Sequence, residues 1–175
     1  MTRFSGYSSL LLAAGCSLLL SCSPKPQDEL RQAIAQKLML DFRYYCDNAP
    51  IEKAACRQPM AHLPKPLFRL IENSSLGGVI LFRENLANPE QIIGLNYELQ
   101  RAAMRSSAAI PMFIGIDQES GRVFRTPRDQ TTAFSGSMAI GATAASYGDH
   151  FATVSGDIIA RELKALGINL NFEIG

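Results

Sequence analysis

The most informative stretch of the chain is 114–125, which reads Ile-Gly-Ile-Asp-Gln-Glu-Ser-Gly-Arg-Val-Phe-Arg. An apolar segment typical of a buried β-strand, predicted over 111–116, leads directly into charged side chains. Two carboxylates and two guanidinium groups follow within nine residues: Asp117, Glu119, Arg122 and Arg125. The stretch therefore predicts a strand whose C-terminal end carries a cluster of charges.

Similar apolar segments recur on both sides of this stretch, and helical patterns separate them. Three further runs predict strands over 38–42, 79–82 and 168–172. Helical spacing of apolar residues occurs over 28–38, 64–71, 88–102 and 147–166. Asn88 and Gln91 are placed to cap the third helix, and Gly167 to end the fourth. This α/β alternation implies a parallel sheet, which an open doubly wound sheet and a β/α barrel satisfy equally.

Composition and charge indicate one ordinary globular domain. The 175 residues include 17 basic and 16 acidic side chains, a balance that gives no electrostatic reason to expect a nucleic-acid partner. Apolar residues make up 47% of the chain, which is enough for a packed core. Once a leucine-rich beginning is set aside, roughly 150 residues remain, the size of a single domain.

The first 22 residues are similar to a bacterial lipoprotein signal peptide. Arg3 supplies a positive charge, as signal peptides require. The leucine-rich run that follows is too short for a transmembrane helix, and glycine and serine interrupt it. The ending Leu-Leu-Ser-Cys at 19–22 resembles a lipobox, in which the cysteine is acylated and becomes the mature N-terminus. An ordinary signal peptide with an incidental cysteine is the alternative, and a second lipobox ending at Cys16 is a weaker match.

These features predict an exported, lipid-anchored protein. We expect a signal peptide over 1–22, lipidation of Cys22, a short tether over 23–29 and the folded domain over 30–175. Ser23, and not an aspartate, follows Cys22, which by resemblance to other lipoproteins favours the outer membrane, facing the periplasm. The membrane is then a partner through the N-terminal lipid.

Cys46 and Cys56 are the cysteines left outside the leader. In an oxidising periplasm they could form a disulfide that closes a short loop and stabilises the fold by roughly 2–3 kcal/mol. Two free thiols are the alternative. We expect no zinc site, because no Cys-x-x-Cys pair or histidine-rich partner accompanies them, and no other metal or organic cofactor is implied.

The charged cluster after the 111–116 strand suits hydroxyl recognition. In a β/α barrel the C-terminal ends of the strands build the active site, so Asp117 would lie at its floor. An ionised aspartate can accept hydrogen bonds from neighbouring sugar hydroxyls. Arg125 could donate to a hydroxyl or carbonyl oxygen, or hold Asp117 in place. A structural ion pair at the strand end is the alternative interpretation.

The pattern of 115–125, Gly-Ile-Asp-Gln-Glu-x-Gly-Arg-Val-x-Arg, resembles the signature Asp-Gln-Glu-Gly-Gly-Arg-Val-x-Arg of the family three β-N-acetylhexosaminidases. Segments at 76–85, 138–142 and 165–172 are similar to further parts of that family, in its order and spacing. The resemblance implies a partial (β/α)8 barrel, covering about its first half. It also implies that Asp117 and Arg125 contact an N-acetylglucosamine unit. The placement of Glu119 and Arg122 suggests that these two side chains support the loop.

Two departures from the family pattern bear on the site. Ser120 occupies the position of the second glycine, where a positive φ would strain a serine by roughly 1 kcal/mol or more. After 171–172 the family continues with alanine-proline and an aspartate-bearing strand end, whereas this sequence reads Glu-Ile-Gly.

The resemblance implies a nucleophilic aspartate late in the barrel and an acid/base histidine on a mobile loop, and neither motif occurs here. His62 and His150 are expected to face solvent or to be packed side chains. We therefore assign no catalytic residue and expect a truncated or frameshifted product that does not cleave glycosidic bonds alone. The substrate implied for the family is a terminal β-linked N-acetylglucosamine in peptidoglycan fragments or chitin-derived oligosaccharides.

Other functions compete with this one. A non-catalytic lipoprotein that retains a sugar-contacting surface is the main alternative, and a β-glucosidase of the same broad family is a neighbouring one. The glycine spacing of 136–143 is similar to a phosphate loop, but Ala142 stands where that loop requires lysine.

Overall fold

A four-stranded parallel sheet forms the centre of the molecule in the computed structural model, which describes residues 26–47 and 56–173. The strands are β1 Met39–Asp41, β2 Gly78–Leu81, β3 Phe113–Ile116 and β4 Leu170–Asn171. They lie side by side in the order β1-β2-β3-β4. In the register of the sheet, Asp41 is opposite Ile80, Ile80 opposite Gly115, and Gly115 opposite Leu170.

Helices precede and connect the strands. They are α1 Pro26–Ala35, α2 Lys65–Ser74, α3 Pro89–Met104, α4 Ser137–Gly141, α5 Ala144–Tyr147 and α6 His150–Ala165. A 3₁₀ turn, Arg83–Asn85, follows β2. As the sequence predicts, the Asn88 side chain caps α3 by accepting a hydrogen bond from the backbone N–H of Gln91 at 2.9 Å.

The strand order decides between the two architectures that periodicity leaves open. A doubly wound sheet reverses its strand order at a switch point, where its ligand site lies. Here every strand pairs with its neighbour in the chain, without a reversal. This is the progression of a β/α barrel, and the described residues form a part of one.

The hydrophobic core lies where the sheet packs against its helices. The strands contribute alternate residues that are fully buried, Val79, Leu81, Ile114 and Ile116. These share one cluster with residues of α2, α3 and α6, among them Ile71, Ile92, Leu95, Leu99, Ile159 and Leu163. Burying one such aliphatic side chain contributes about 1.5–3 kcal/mol to the stability of the fold. The core therefore firmly fixes the strands from whose ends the following loops leave the sheet.

Several element boundaries differ from the predicted ones for identifiable reasons. Helix α1 begins at Pro26, inside the predicted tether 23–29, with a proline in the first turn, where its missing N–H is harmless. Phe82 leaves β2, because its N–H donates to Asn85 Oδ1 at 3.0 Å in the 3₁₀ turn. The helix predicted over 147–166 begins only at His150, because Gly148 adopts a φ of 59° and separates α6 from α5, which ends at Tyr147. Gly167 ends α6 with a φ of 82°, as predicted.

A disulfide joins Cys46 and Cys56, whose Cα atoms are 5.9 Å apart. Around it, residues 42–47 and 56–60 run antiparallel and form what we call the disulfide clip. The backbone N–H of Tyr45 donates to the carbonyl of Gln58, and that of Met60 donates to the carbonyl of Arg43, both at 3.0 Å. The clip follows β1 directly and therefore lies at the C-terminal edge of the sheet.

The predicted leader 1–22, with the predicted lipidation site Cys22, lies outside the described residues. Within the described ranges, no helix combines the length and the apolar character that crossing a membrane requires.

Candidate functional site

The candidate site is built around an ion pair at the C-terminal end of β3. Asp117 is the first residue after the strand, and Arg125 Nη2 lies 2.8 Å from Asp117 Oδ2. The two side chains are 27% and 28% exposed, so a ligand can reach both. The structure thus brings together the two residues that the sequence singled out, on the edge of the sheet where a β/α barrel carries its active site.

The buried side chain of Gln118 closes the turn between Asp117 and Arg125. Its Oε1 accepts hydrogen bonds from the backbone N–H groups of Arg125, at 2.7 Å, and of Thr126, at 3.4 Å. Only 3% of Gln118 is exposed. A buried amide that satisfies two backbone donors fixes the chain where Arg125 returns to Asp117.

Strand β4 holds the base of the same turn through Asn171. Its Oδ1 accepts from the backbone N–H of Gln118 at 3.0 Å, and its Nδ2 donates to the Gln118 carbonyl at 2.9 Å. This side chain extends the pairing of β3 and β4 beyond the last residues of the ladder. No sequence signal points specifically to this role of Asn171.

The loop after Asp117 contains the backbone strain that the sequence predicts. Ser120 has a φ of 67°, and its buried Oγ has no hydrogen-bond partner among the residues that the structure describes. Gly121 follows with a φ of 56°, and a Cβ there would lie 2.9 Å from the backbone of Gly136. Glycine is therefore required at 121, whereas Ser120 occupies a conformation that serine rarely adopts.

The side-chain hydrogen bonds that hold this loop come from residues other than the two suggested by the sequence. Besides Gln118 and Asn171, Arg128 supplies one, because its Nη2 donates to the Gly121 carbonyl at 2.8 Å. Arg122 is exposed. Glu119 contributes its backbone N–H, which donates to the Val123 carbonyl at 2.9 Å.

Two further carboxylates, Glu119 in the loop and Glu173 after β4, contribute to the electrostatics of the site. Partial desolvation, together with the negative charges of Asp117 and Glu173, raises the pKa of Glu119 above its usual value, and Arg125 opposes that rise. The site therefore concentrates negative charge beside one guanidinium, an arrangement suited to accepting hydrogen bonds from several hydroxyl groups.

Charged residues that the sequence did not single out follow β1 and β2 on the same edge. The Arg43 guanidinium lies 3.6 Å from Asp41 and 3.9 Å from Glu84, and its Cζ is 3.6 Å from the centre of the Phe82 ring. The hydroxyl of Tyr44 donates to Glu84 Oε1 at 3.1 Å. The rule that pointed to Asp117, a polar residue just after a predicted strand, would also have pointed to Arg43 and to the segment that carries Glu84.

Neither histidine belongs to this cluster of charges. His62 and His150 are both exposed, and His150 packs edge-on against Phe151 at the start of α6. Across residues 26–47 and 56–173, no group of three or more His, Cys, Asp or Glu side chains is arranged to hold a metal ion.

Comparisons with known proteins identify similar chains. Residues 52–173 match the family model described as the glycosyl hydrolase family 3 N-terminal domain. The chain is 50% identical over 141 residues to β-hexosaminidase A of Pseudoalteromonas piscicida, covering 81% of this chain and 24% of that protein.

Two solved structures extend the match to three dimensions. A family 3 β-N-acetylglucosaminidase from Paenibacillus sp. FPU-7 superposes with a TM-score of 0.65 at 36% identity, over 82% of this chain and 23% of that one. NagZ from Neisseria gonorrhoeae, in complex with N-trifluoroacetyl-D-glucosamine, superposes with a TM-score of 0.59 at 25% identity, over 78% and 35%. The chain thus spans between about a quarter and about a third of the length of these relatives.

Proposed function

Because the chain belongs to glycosyl hydrolase family 3, through the N-terminal domain of that family, we propose that Asp117 and Arg125 bind a terminal β-linked N-acetylglucosamine unit. The observation that carries the proposal is their contact of 2.8 Å at the C-terminal edge of a barrel-type sheet. Both side chains are about one quarter exposed, as a binding pair open to a ligand requires.

The chemistry of the pair suits a sugar. Asp117 uses one carboxylate oxygen toward Arg125, and an ionised carboxylate has further lone pairs with which to accept hydroxyl hydrogen bonds. The Arg125 guanidinium has five N–H donors in a fixed fork, of which one reaches Asp117. The pair can therefore accept from one hydroxyl group and donate to a neighbouring oxygen.

The substrate class follows from the relatives. Proteins named β-hexosaminidase and β-N-acetylglucosaminidase match most of the described chain, and one matching structure holds an N-acylglucosamine. We take the glycan to be a peptidoglycan fragment or a chito-oligosaccharide with N-acetylglucosamine at its non-reducing end. Hydrolysis of that terminal unit is the reaction to which the site contributes.

Within that reaction, the described residues supply binding and not bond cleavage. Retaining glycosidases need a nucleophile and an acid/base group on opposite faces of the sugar. Asp117 is engaged by Arg125, and both histidines are exposed outside the cluster. A chromogenic N-acetylglucosaminide tests this assignment, since turnover by the 175-residue chain alone would contradict it.

We also propose that the protein is exported and anchored in the outer membrane by a lipid on Cys22, facing the periplasm. The Leu-Leu-Ser-Cys pattern at 19–22 supports the anchor, and the Cys46–Cys56 disulfide is typical of an oxidising compartment. Labelling of growing cells with a fatty-acid analogue should mark the wild type and leave Cys22→Ser unlabelled. Equal labelling of both proteins would refute the anchor.

Sugar binding is tested directly by titrating N-acetylglucosamine into the 175-residue chain and following backbone amide resonances. We expect Asp117→Asn to weaken binding by about tenfold or more, because the neutral amide loses a charge-assisted hydrogen bond. Asp157→Asn is the matched control, since Asp157 forms a surface ion pair with Arg161 on α6 and should not matter. No binding by the wild type, or equal binding by Asp117→Asn, would disprove the proposal.

Glucose distinguishes the hexosaminidase branch from the β-glucosidase alternative. The proposal predicts that N-acetylglucosamine shifts the resonances around Asp117 at concentrations where glucose does not. Equal affinity for the two sugars would favour the alternative.

A further inference from the structure

We propose that Asn171 is a positioning residue of the sugar site, which acts through Gln118 to hold Arg125 against Asp117. The inference rests on the proposed sugar-binding function, and it names a residue of β4 that acts on the site without contacting the sugar. It is carried by a chain of hydrogen bonds between named atoms, which leads from the Asn171 side chain to the backbone of Arg125.

The first step of this chain joins Asn171 to Gln118. The side-chain amide of Asn171 meets residue 118 as a peptide group would, because its Oδ1 accepts from the Gln118 N–H at 3.0 Å and its Nδ2 donates to the Gln118 carbonyl at 2.9 Å. The last residues that pair in the ladder between β3 and β4 are Ile116 and Asn171 itself. The side chain therefore carries the pairing past the end of the ladder, to the residue that directly follows Asp117.

The second step joins Gln118 to Arg125. The Oε1 of Gln118 accepts from the backbone N–H of Arg125 at 2.7 Å, and the Arg125 guanidinium lies 2.8 Å from the Asp117 carboxylate. Asn171 thus holds the backbone of Gln118, while the side chain of Gln118 holds the backbone from which Arg125 extends. Because Asp117 directly precedes Gln118, both members of the ion pair are placed relative to one residue, and β4 holds that residue.

Burial makes the turn sensitive to a shift of Gln118. The Gln118 side chain is almost fully buried, and Asn171 is half-buried. Water has little access to the buried amide, so hydrogen bonds that it loses are not readily replaced by bonds to solvent. A displaced Gln118 would therefore carry the acceptor of the Arg125 N–H away with it, and the guanidinium would leave its place beside Asp117.

Strand β4 makes the same kind of contact with the beginning of β3 through a second asparagine. Asn169 Oδ1 accepts from the Ile114 N–H at 2.8 Å, and its Nδ2 donates to the Met112 carbonyl at 3.1 Å. Each asparagine thus accepts one hydrogen bond from the backbone of the β3 segment and donates one to it. They differ in place, because Asn171 lies at the end of β3 that carries Asp117. If both side chains served only to attach β4 to the sheet, their loss would affect sugar binding equally.

The decisive comparison is Asn171→Leu with Asn169→Leu in the 175-residue chain. Leucine has about the size of asparagine and makes no side-chain hydrogen bond. Both variants should be less stable in urea unfolding, since each leaves a backbone N–H and a carbonyl without a partner. N-acetylglucosamine should bind to Asn171→Leu about three- to tenfold more weakly, the range expected for one lost hydrogen bond. Asn169→Leu should bind it with the affinity of the wild type.

Amide hydrogen exchange follows the chain of contacts without the sugar. In Asn171→Leu the backbone N–H of Arg125 should exchange faster relative to that of Leu99, a fully buried residue of α3 whose exchange corrects for a loss of global stability. In Asn169→Leu this ratio should remain that of the wild type. A purely structural attachment of β4 would not change the ratio, because Gln118 lies between Asn171 and Arg125. Asn171→Ala and Asn169→Ala repeat both comparisons if a leucine variant does not fold.

Two outcomes separate this inference from the proposed function. If the wild type binds the sugar and Asn171→Leu binds it as tightly as Asn169→Leu, or if the exchange ratio at Arg125 is unchanged, the role of Asn171 is overturned and the proposed function stands. A wild type that does not bind N-acetylglucosamine overturns the proposed function and, with it, the role of Asn171 at a sugar site.

Discussion

The side-chain Oε1 of Gln118 accepts a hydrogen bond from the backbone N–H of Arg125 at 2.7 Å. Gln118 directly follows Asp117, and Arg125 pairs with Asp117. One buried amide therefore sets the length of the turn between the two charged residues and closes it. A neutral hydrogen bond beneath the ion pair thus holds the backbone of Arg125 where its side chain reaches Asp117.

Gln118→Met is expected to destabilise the protein by about 1–3 kcal/mol, because the N–H groups of Arg125 and Thr126 lose a buried acceptor. It should also weaken N-acetylglucosamine binding, since Arg125 is no longer held against Asp117. Urea unfolding and sugar titration measure the two effects. The exposed Gln130 gives the control Gln130→Met, and similar stability of both variants would show that the contact is dispensable.

Ser120→Gly is expected to stabilise the protein by about 1 kcal/mol. Glycine adopts a φ of 67° without strain, and the change removes a buried hydroxyl that finds no hydrogen-bond partner in the described part of the chain. Ser75→Gly separates the two contributions, because Ser75 has a φ of 56° but its Oγ lies 3.1 Å from Ser107 Oγ. A smaller gain or a loss is expected for Ser75→Gly in thermal unfolding, and a destabilised Ser120→Gly would mean that the loop is not strained.

The ionisation of Glu119 should lower the free energy of unfolding of the protein as the pH rises. Desolvation, Asp117 and Glu173 raise the pKa of Glu119 in the folded state above its value in the unfolded chain. The contribution of Glu119 to stability is therefore fully present below the unfolded-state pKa, and it is lost as the pH rises through the folded-state pKa. Glu119→Gln removes this dependence. In urea unfolding from pH 3 to pH 7, the variant should gain stability relative to the wild type toward pH 7. A difference that stays constant across this range would mean that desolvation and the neighbouring carboxylates do not raise the Glu119 pKa.

Much of the fold could be predicted from the sequence, because the apolar runs that become β2 and β3 are short, β-favouring and separated by helical patterns. The choice of a barrel could not be predicted from periodicity. Which strands pair is a property of the folded chain, and here it is the unbroken order of four strands that decides. The break at Gly148 escapes prediction because an isolated glycine is tolerated within a helical pattern, and its φ is not visible in spacing.

The candidate site also contains residues that the sequence predicts and residues that it does not. Asp117 could be predicted because it directly follows an apolar strand, while Arg125 is identified through the family signature. The link between Tyr44 and Glu84 could not be predicted, since 40 residues separate them and only the parallel pairing of β1 with β2 brings their segments together. Long-range contacts of this kind have no local sequence signal.

The double variant Cys46→Ser, Cys56→Ser tests whether the disulfide clip serves the site as well as the fold. A cross-link between residues ten positions apart is expected to stabilise the protein by about 2–3 kcal/mol, mainly by restricting the unfolded chain. The variant should also bind N-acetylglucosamine more weakly, because the clip lies at the edge of the sheet that carries Asp117. Reductant should reproduce both effects in the wild type and have no effect on the variant. If stability falls while sugar affinity stays the same, the clip serves the fold alone.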